Sequence, residues 1–343
     1  MRIALDATYS VGNEPTGLGV YSREILSGLP VQQPGTRFDF YYRPHTYRAG
    51  RSVAVPPNVR RRFLIEPFTP RGEDLFHGLL QRLPRMRLRR SVATFHDLFF
   101  LTSEYSTPEF RARFAAQAAD AASRADLIIA VSAFTRSQVI DLLRVEPSRI
   151  HVIHHGVRKL DIPPGVAREP VILTVGAIQK RKNIVRLVEA FEKVDPSWRL
   201  VLAGAEGYGA AEILDRIRQS PARDRIAVTG YLSIGDLALY FARASVFAFP
   251  SLDEGFGIPV LEAMAAGIPV VTSNSSALPE VAGDAAHLVD PQDRDALAHA
   301  LVELTTKPDL RESLSVKGLK RAELFTWEKA VQETWEVYRK LLP

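Results

Sequence analysis

Strand-like segments alternate with helical patterns along the whole chain. The strand-like segments are RIALDA, FDFYY, VATFHD, LIIAVS and IHVIHH in the first half, and VILTVG, RLVLAG, IAVTG, VFAFP and PVVTS in the second. Helical patterns lie between them, for example at 109–123, 133–143, 183–193, 236–243 and 259–266. Such alternation is typical of parallel sheets covered by helices on both faces. The sequence therefore predicts an α/β chain built from doubly wound, Rossmann-like sheets.

One break in this alternation divides the chain. Residues 156–170 contain three prolines and two glycines, which interrupt both periodicities. The 343 residues, 46% of them hydrophobic, are enough for two domains with a core each. We therefore predict an N-terminal domain over 1–160 and a C-terminal domain from 161. Two such domains would leave a cleft at the carboxyl ends of their strands, where ligands usually bind.

Composition excludes several other classes of protein. The chain has no cysteine, so neither disulfides nor thiolate metal sites are possible. It has no run of roughly 18 apolar residues that could span a membrane. The start, MRIALDATYS, lacks the apolar region of a secretory signal. We expect a cytoplasmic protein.

The positive charge is concentrated in the first half. Residues 1–165 carry 23 Lys and Arg against 15 Asp and Glu, whereas residues 166–343 carry 21 against 24. The excess peaks in RLPRMRLRR, at 82–90. An anionic partner, such as a membrane surface or a phosphate-bearing acceptor, could bind there. A solvated basic face on one domain is the alternative.

The segment EGFGIPVLEAMAAGIPVV, residues 254–271, follows one predicted strand directly. Pro259 suits the first turn of a helix, and Gly267 suits its end. The segment is thus a strand, a glycine turn and a helix. The predicted turn amides are those of Gly255, Phe256, Gly257 and Ile258. At a helix N-terminus they would favour a negative charge such as a diphosphate, and glycine lets a ligand approach closely.

Two carboxylates accompany this turn. Glu254 lies before the helix and Glu262 lies about one turn inside it, so they would flank the anion site and not form a close pair. Carboxylates are good acceptors for the hydroxyl groups of sugars and ribose. The alternative makes Glu254 a helix cap and Glu262 a surface residue.

Residues 249–291 resemble the E-x7-E region of retaining glycosyltransferases of family 4 (group 1), which have the GT-B fold. Further segments match that family in order: TGLGVYSREIL (16–26), DLFHGLLQRLP (74–84), TFHDLFFL (94–101), VSAFTRSQVI (131–140), TVGAIQKRKNI (174–184), TGYLSIGDLALYFARA (229–244) and FTWEKAVQETWEVY (325–338). The chain is most similar to mannosyltransferases that elongate bacterial surface polysaccharides. The resemblance implies that the C-terminal domain, 161–326, binds a nucleotide sugar, and that a last helix, 327–343, packs back on the acceptor-binding N-terminal domain.

The resemblance also implies roles for residues of the C-terminal domain. Glu254 would contact hydroxyls of the donor sugar and Glu262 the ribose, while Lys182 would bind the diphosphate and stabilise the leaving group. Many relatives have an arginine where this chain has Ala177, and Arg181 could supply the missing guanidinium. The nucleobase would lie near 229–233.

In the N-terminal domain, Gly17 and Gly19 are predicted in a loop before the first helix, which the resemblance places against the donor phosphate or the acceptor. His96 would lie near the transferred sugar, and Asp97 and Tyr21 would lie on the acceptor side. A buried structural histidine and a helix-capping aspartate are the alternatives for His96 and Asp97.

No metal or cofactor is expected. Asp293 and Asp295 form a D-x-D sequence, but they open a late helix, where acids favour the N-terminus anyway, and we assign them to capping. Cations and helix amides can neutralise a diphosphate without Mg²⁺. The expected donor is a nucleoside-diphosphate sugar, with GDP-mannose the first candidate, and the expected acceptor is a glycan or lipid-linked hydroxyl.

Three alternatives stay open. A non-catalytic nucleotide-sugar-binding protein would bind nucleotide without turnover. An NAD-dependent oxidoreductase would need an intact G-x-G-x-x-G, but the third position here is Ser22 and the first strand ends too far upstream. A nucleic-acid binder could use the arginines of 82–90, although no recognised motif accompanies them.

Overall fold

The computed structural model describes residues 1–12, 17–158 and 160–342. The chain forms two compact units. The first contains Met1–Thr102, Pro108–Gly156 and Phe325–Pro343, and the second contains Ser103–Thr107 and Val157–Leu324.

The first unit contains a parallel sheet, with seven strands among its described residues. They are β1 Arg2–Asp6, β2 Arg37–Tyr42, β3 Val59–Phe63, β4 Leu75–Gly78, β5 Ser91–Phe95, β6 Leu127–Ala130 and β7 Ile150–Val152. Their spatial order is β3-β2-β1-β4-β5-β6-β7. The helices of this part are α1 Gly17–Gln32, α2 Pro44–Ser52, α3 Phe99–Thr102, α4 Pro108–Arg124 and α5 Ala133–Leu143.

The second unit repeats the arrangement with six parallel strands in its described part. They are β8 Glu169–Val175, β9 Arg199–Ala203, β10 Ile226–Gly230, β11 Ala244–Phe249, β12 Val270–Ser273 and β13 Ala286–Val289, in the order β10-β9-β8-β11-β12-β13. Its helices are α6 Ile184–Phe191, α7 Ala210–Gln219, α8 Ile234–Arg243, α9 Ile258–Ala265, α10 Leu278–Ala282, α11 Arg294–Thr306 and α12 Pro308–Ala322. The α/β prediction with two doubly wound sheets is confirmed.

The central strands of each sheet are buried on both faces, which explains their near-continuous apolar sequences. In β1, Ile3 and Leu5 pack on the side of α1, while Ala4 packs on the side of α4 and α5. In the second unit, Ile172 of β8 joins the cluster with α6 and α11, and Phe247 of β11 stacks on Phe241 of α8 at 5.8 Å.

The final helix, α13 Trp327–Leu341, belongs to the first unit. Its buried residues Val331 and Tyr338 share a hydrophobic cluster with Ile25 and Leu29 of α1. Thr326 caps this helix by accepting a hydrogen bond from the amide of Lys329 at 3.2 Å.

Two features differ from the sequence prediction. Strands β3, β4 and β13 are not among the predicted ones. Three arginines interrupt the apolar pattern in β3. Gly17 and Gly19 do not lie in a loop before the first helix, since α1 begins at Gly17. The prediction of a loop was wrong for both, and residues 13–16 of the same segment lie outside the described residues. Within the described ranges, every helix is too short or too polar to cross a bilayer.

Candidate active site

The second sheet reverses its winding direction between β8 and β11. The two strands at this point both continue into loops at their carboxyl ends. These loops are 176–183 after β8 and 250–257 after β11. The two loops are hydrogen-bonded to each other. The amide of Leu252 donates to the carbonyl of Arg181 at 2.9 Å, and the Asn183 side chain donates to the carbonyl of Pro250 at 3.1 Å. A crevice outside such a switch point is the usual ligand site of an open α/β sheet.

Glu254 meets two cations at this point. Lys182 Nζ lies 2.5 Å from Glu254 Oε1, and Arg181 Nη1 lies 2.9 Å from Glu254 Oε2. All three side chains are at most 12% exposed. Burial by itself would raise the pKa of Glu254, but Arg181 and Lys182 outweigh it and lower the pKa to about 2. The carboxyl group is therefore ionised at neutral pH, and the trio keeps one net positive charge.

The two cations are fixed by further contacts. They sit on a single 3-10 turn, Lys180–Lys182, that ends at Asn183 in the left-handed conformation with φ 58°. Arg181 Nη1 also donates to the carbonyl of Asp253 at 2.5 Å, and Lys182 Nζ lies 4.5 Å from the centre of the Phe249 ring. Both positive groups are thus held in place at the carboxyl ends of the strands, where they could bind an anion.

The glycine turn has the predicted form. Gly257 caps α9 with φ +121°, Pro259 lies in the first turn, and Gly267 follows the helix with φ +67°. The turn is anchored at Glu254, whose amide donates to Ser276 Oγ at 3.1 Å and whose carbonyl accepts from the amide of Ala277 at 3.2 Å. Residues 255–258 are buried at the start of the helix, which is the positive end of its dipole.

Replacing Gly257 with alanine should destabilise the second unit. A Cβ at this position would lie 2.8 Å from Leu278 Cδ2, and φ +121° is strained for any residue with a side chain. We expect a loss of about 2–4 kcal/mol in the free energy of unfolding, measured by urea denaturation. Gly165→Ala is the matched control, because Gly165 also has a positive φ but nothing within 4 Å of its Cβ position. Equal losses in both variants would contradict the close packing at Gly257.

Glu262 is buried in the second turn of α9, with 4% of its surface exposed. The surface alternative for this residue is therefore wrong. Arg158 forms an ion pair with it, with Nη2 2.8 Å and Nε 3.0 Å from the same oxygen, Oε1. Burial raises the pKa of Glu262, and Arg158 acts in the opposite direction.

Sequence reasoning missed Arg158. The residue lies in the break at 156–170, which has neither helical nor strand periodicity, so no pattern marks it. Its partner is 104 residues away in the chain, and only the fold brings the two together.

In the first unit, His96 follows β5 directly. Its Nε2 donates to the carbonyl of Leu79, the residue after β4, at 2.9 Å, and its ring lies 4.7 Å from the ring of Tyr21. Burial lowers the pKa of His96 to about 4, so the imidazole is neutral at pH 7. With its proton on Nε2, the other ring nitrogen is an acceptor that suits a hydroxyl group.

Tyr21 lies in the core of the first unit. It is 2% exposed, and its hydroxyl forms a 2.8 Å hydrogen bond with Thr94 Oγ1. This position opposes the predicted direct contact of Tyr21 with an acceptor and makes it a packing partner of His96. Asp97 is half-buried beside His96, and Gly19 is buried in the first turn of α1. The binding roles of Asp97, Gly17 and Gly19 stay predictions.

The acidic D-x-D sequence caps a helix, as predicted. Asp293 is the N-cap of α11 and accepts a hydrogen bond from the amide of Ala296 at 2.9 Å. Asp295 lies in the first turn and pairs with Arg294 at 3.1 Å. Over 1–12, 17–158 and 160–342, no three His, Asp or Glu side chains are grouped so that they could hold a metal ion.

Known structures have the same fold over nearly the whole chain. Sucrose-phosphate synthase from Thermosynechococcus elongatus matches with a TM-score of 0.78 and 24% identity, covering 99% of both chains. HepE from Anabaena, solved with UDP-glucose, matches with a TM-score of 0.76 and 18% identity, again covering 99% of both. The two Rossmann-like units thus have the GT-B fold of glycosyltransferases.

Sequence comparison gives the family. Residues 161–321 match the glycosyl transferases group 1 family, and residues 27–159 match glycosyltransferase family 4. O-antigen chain mannosyltransferase B of Escherichia coli is 33% identical over 284 residues, which are 78% of this chain and 74% of the relative. MMP alpha-(1->4)-mannosyltransferase of Mycolicibacterium hassiacum is 32% identical over 63% of this chain and 54% of the relative. The chain belongs to the group 1 glycosyltransferases of family 4 and is a glycosyltransferase.

Proposed function

We propose that this glycosyltransferase moves a hexose, mannose first among the candidates, from a nucleoside-diphosphate sugar to a glycan or lipid-linked hydroxyl in the synthesis of a surface polysaccharide or glycoconjugate. The observation that carries the proposal is the buried trio of Lys182, Arg181 and Glu254 beside the N-terminus of α9. Mannose is supported by the names of the two relatives, both mannosyltransferases. GDP-mannose is accordingly the first donor to test.

The donor's diphosphate binds to Lys182, Arg181 and the positive end of α9. These groups are oriented before the donor arrives, because Glu254 and the carbonyl of Asp253 hold them. Negative charge develops on the departing diphosphate as the sugar–oxygen bond breaks. A fixed cation and a helix terminus stabilise that charge without reorganisation, which lowers the barrier. The chemistry therefore needs no divalent ion in this proposal.

The sugar is transferred with retention of configuration. The acceptor oxygen bonds to the anomeric carbon on the face from which the diphosphate leaves, and the departing phosphate oxygen takes the acceptor proton. Glu254 stays ionised throughout, given its low pKa, and its charge stabilises the positive anomeric carbon. The predicted hydrogen bond between neutral His96 and a sugar hydroxyl stays a prediction of the family resemblance.

Thermal unfolding with added nucleotides tests the proposal. GDP, UDP, ADP, TDP and NAD are each added at one high concentration without metal, to wild type, Glu262→Ala and Glu192→Ala. A nucleotide at about 100 times its dissociation constant adds roughly 2.7 kcal/mol to the folded state and should raise the melting temperature by several degrees. We expect GDP to do so for wild type and for Glu192→Ala, but not for Glu262→Ala.

Glu192 provides the matched control because it is also paired with an arginine, Arg216 at 2.8 Å. Stabilisation by NAD and by no nucleoside diphosphate would contradict the proposal. Release of GDP from GDP-mannose in the presence of acceptor then separates a transferase of this donor from a protein that only binds it.

Contact with an anionic membrane and a cytoplasmic location stay predictions. Two arginines of the 82–90 segment are already paired, Arg82 with Glu66 at 3.5 Å and Arg89 with Asp74 at 3.1 Å. These pairs reduce the positive charge that the segment offers to an anionic surface.

A further inference from the structure

The guanidinium of Arg158 occupies only one of the two oxygens of Glu262. Both Nε and Nη2 point to Oε1, at 3.0 Å and 2.8 Å. A carboxylate oxygen has two lone pairs, so this contact saturates Oε1. Within residues 1–12, 17–158 and 160–342, Oε2 of Glu262 forms no hydrogen bond. Among the residues that the structure describes, one oxygen of the carboxylate is therefore held by Arg158 and the other is left to accept hydrogen bonds.

Glu262 is 4% exposed, so most of its carboxylate is removed from water and its ionisation depends on the groups around it. Arg158 is the charged residue that acts on it, and it opposes the protonation that burial favours. A protonated carboxyl group would offer one donor in place of a full set of acceptors. Arg158 therefore favours the ionised form of Glu262 and fixes the position of Oε1.

We propose that Arg158 is a positioning residue for the donor: by holding Oε1 it orients the carboxylate of Glu262 and leaves Oε2 to accept hydrogen bonds from the two neighbouring hydroxyl groups of a ribose. This inference rests on the proposed function, because it needs a nucleotide donor. Two vicinal hydroxyls suit one oxygen with two lone pairs. Arg158 lies near the start of the stretch Val157–Leu324 of the second unit, so it belongs to the same unit as Glu262.

The test compares a nucleotide that has the ribose hydroxyls with one that lacks them. Titration calorimetry measures the affinity of GDP and of 2′,3′-dideoxy-GDP for wild type, Arg158→Ala, Arg158→Lys and Arg216→Ala, with the UDP pair used if UDP is what stabilises wild type. We expect Arg158→Ala to weaken the binding of GDP roughly 10- to 100-fold and to change the affinity for dideoxy-GDP by less than about 3-fold. Arg158→Lys should restore part of the loss.

Two controls separate positioning from folding. Arg216→Ala removes another partly buried arginine paired with a glutamate, and it should leave the preference for GDP unchanged. In a Glu262→Gln background, Arg158→Ala should have no further effect on GDP, since its partner carboxylate is already gone. In steady-state transfer, the donor KM should rise for Arg158→Ala while kcat changes little.

Several outcomes would overturn the inference. Equal weakening of GDP and dideoxy-GDP in Arg158→Ala would mean that Arg158 only supports the fold. If Arg158→Ala still prefers GDP over dideoxy-GDP as strongly as wild type does, Glu262 binds the ribose without being positioned by Arg158. If the wild-type protein binds none of the nucleoside diphosphates, the proposed function itself is contradicted. A failure of the inference about Arg158 can thus be distinguished from a failure of the proposed function.

Discussion

Lys182→Ala is expected to lower kcat/KM for sugar transfer by on the order of 100- to 1,000-fold. The lysine ammonium is buried, fixed by Glu254 Oε1 at 2.5 Å, and placed at the carboxyl end of β8, where the proposed leaving group develops negative charge. Losing one preorganised group of this kind typically costs about 3–4 kcal/mol of transition-state stabilisation. The measurement is the initial rate of GDP release from GDP-mannose with acceptor present.

Lys180→Ala is the matched control. Lys180 lies on the same 3-10 turn, but its side chain is 42% exposed and pairs with Glu212 at 2.9 Å. An exposed pair of this kind contributes about 0–1 kcal/mol, so this variant should transfer sugar within a few-fold of wild type. Similar rates for Lys182→Ala and Lys180→Ala would contradict the assignment of Lys182 to the leaving group.

The strand pattern predicted the fold because buried parallel strands are apolar on both faces. They therefore form continuous apolar runs that can be recognised from the sequence alone. It predicted α5 to the residue and placed the glycine turn correctly between β11 and α9. It failed at β3, whose edge position tolerates three arginines, and at the start of α1, where glycines read as a loop. Local sequence patterns indicate which residues are buried and where turns lie. They do not show whether a helix begins before or after a glycine.

The contacts of the site were less predictable than its residues. Glu254, Glu262, Lys182 and Arg181 are all named by the motifs, yet the motifs do not say that Lys182 and Glu254, 72 residues apart, form one buried ion pair. The order of the strands brings them together, because β8 and β11 are neighbours only at the switch point. Arg158 lies in no sequence motif and in no helical or strand pattern. Only its distance to Glu262 in the folded chain identifies it.

Glu254→Gln is expected to destabilise the second unit in a pH-dependent way. The usual pKa of this carboxyl group is 4.5, and in the folded chain it is lowered to about 2. Ionised Glu254 therefore stabilises the fold at pH values above 4.5, and this contribution is lost as the pH falls from 4.5 towards 2. The difference corresponds to on the order of 3 kcal/mol at neutral pH. Urea denaturation of both proteins between pH 7 and pH 2.5 should show their stabilities converging at low pH.

Glu312→Gln serves as the control, because Glu312 is an exposed residue of α12 and its loss should matter by at most about 0.5 kcal/mol. A gap between wild type and Glu254→Gln that does not change with pH would contradict a stabilising charge at Glu254.

The same variant separates stability from binding. In Glu254→Gln, Lys182 and Arg181 lose their buried counter-ion, while the amide oxygen of the glutamine can still accept a hydrogen bond that orients one of them. An added nucleoside diphosphate then no longer competes with a carboxylate for the two cations. We expect GDP to bind this variant at least as tightly as wild type, while transfer from GDP-mannose falls because the charge beside the anomeric carbon is gone. A variant that is less stable, binds the nucleotide well and transfers slowly would place Glu254 at the sugar. Weaker binding of GDP would instead mean that Glu254 mainly orients the two cations for the diphosphate.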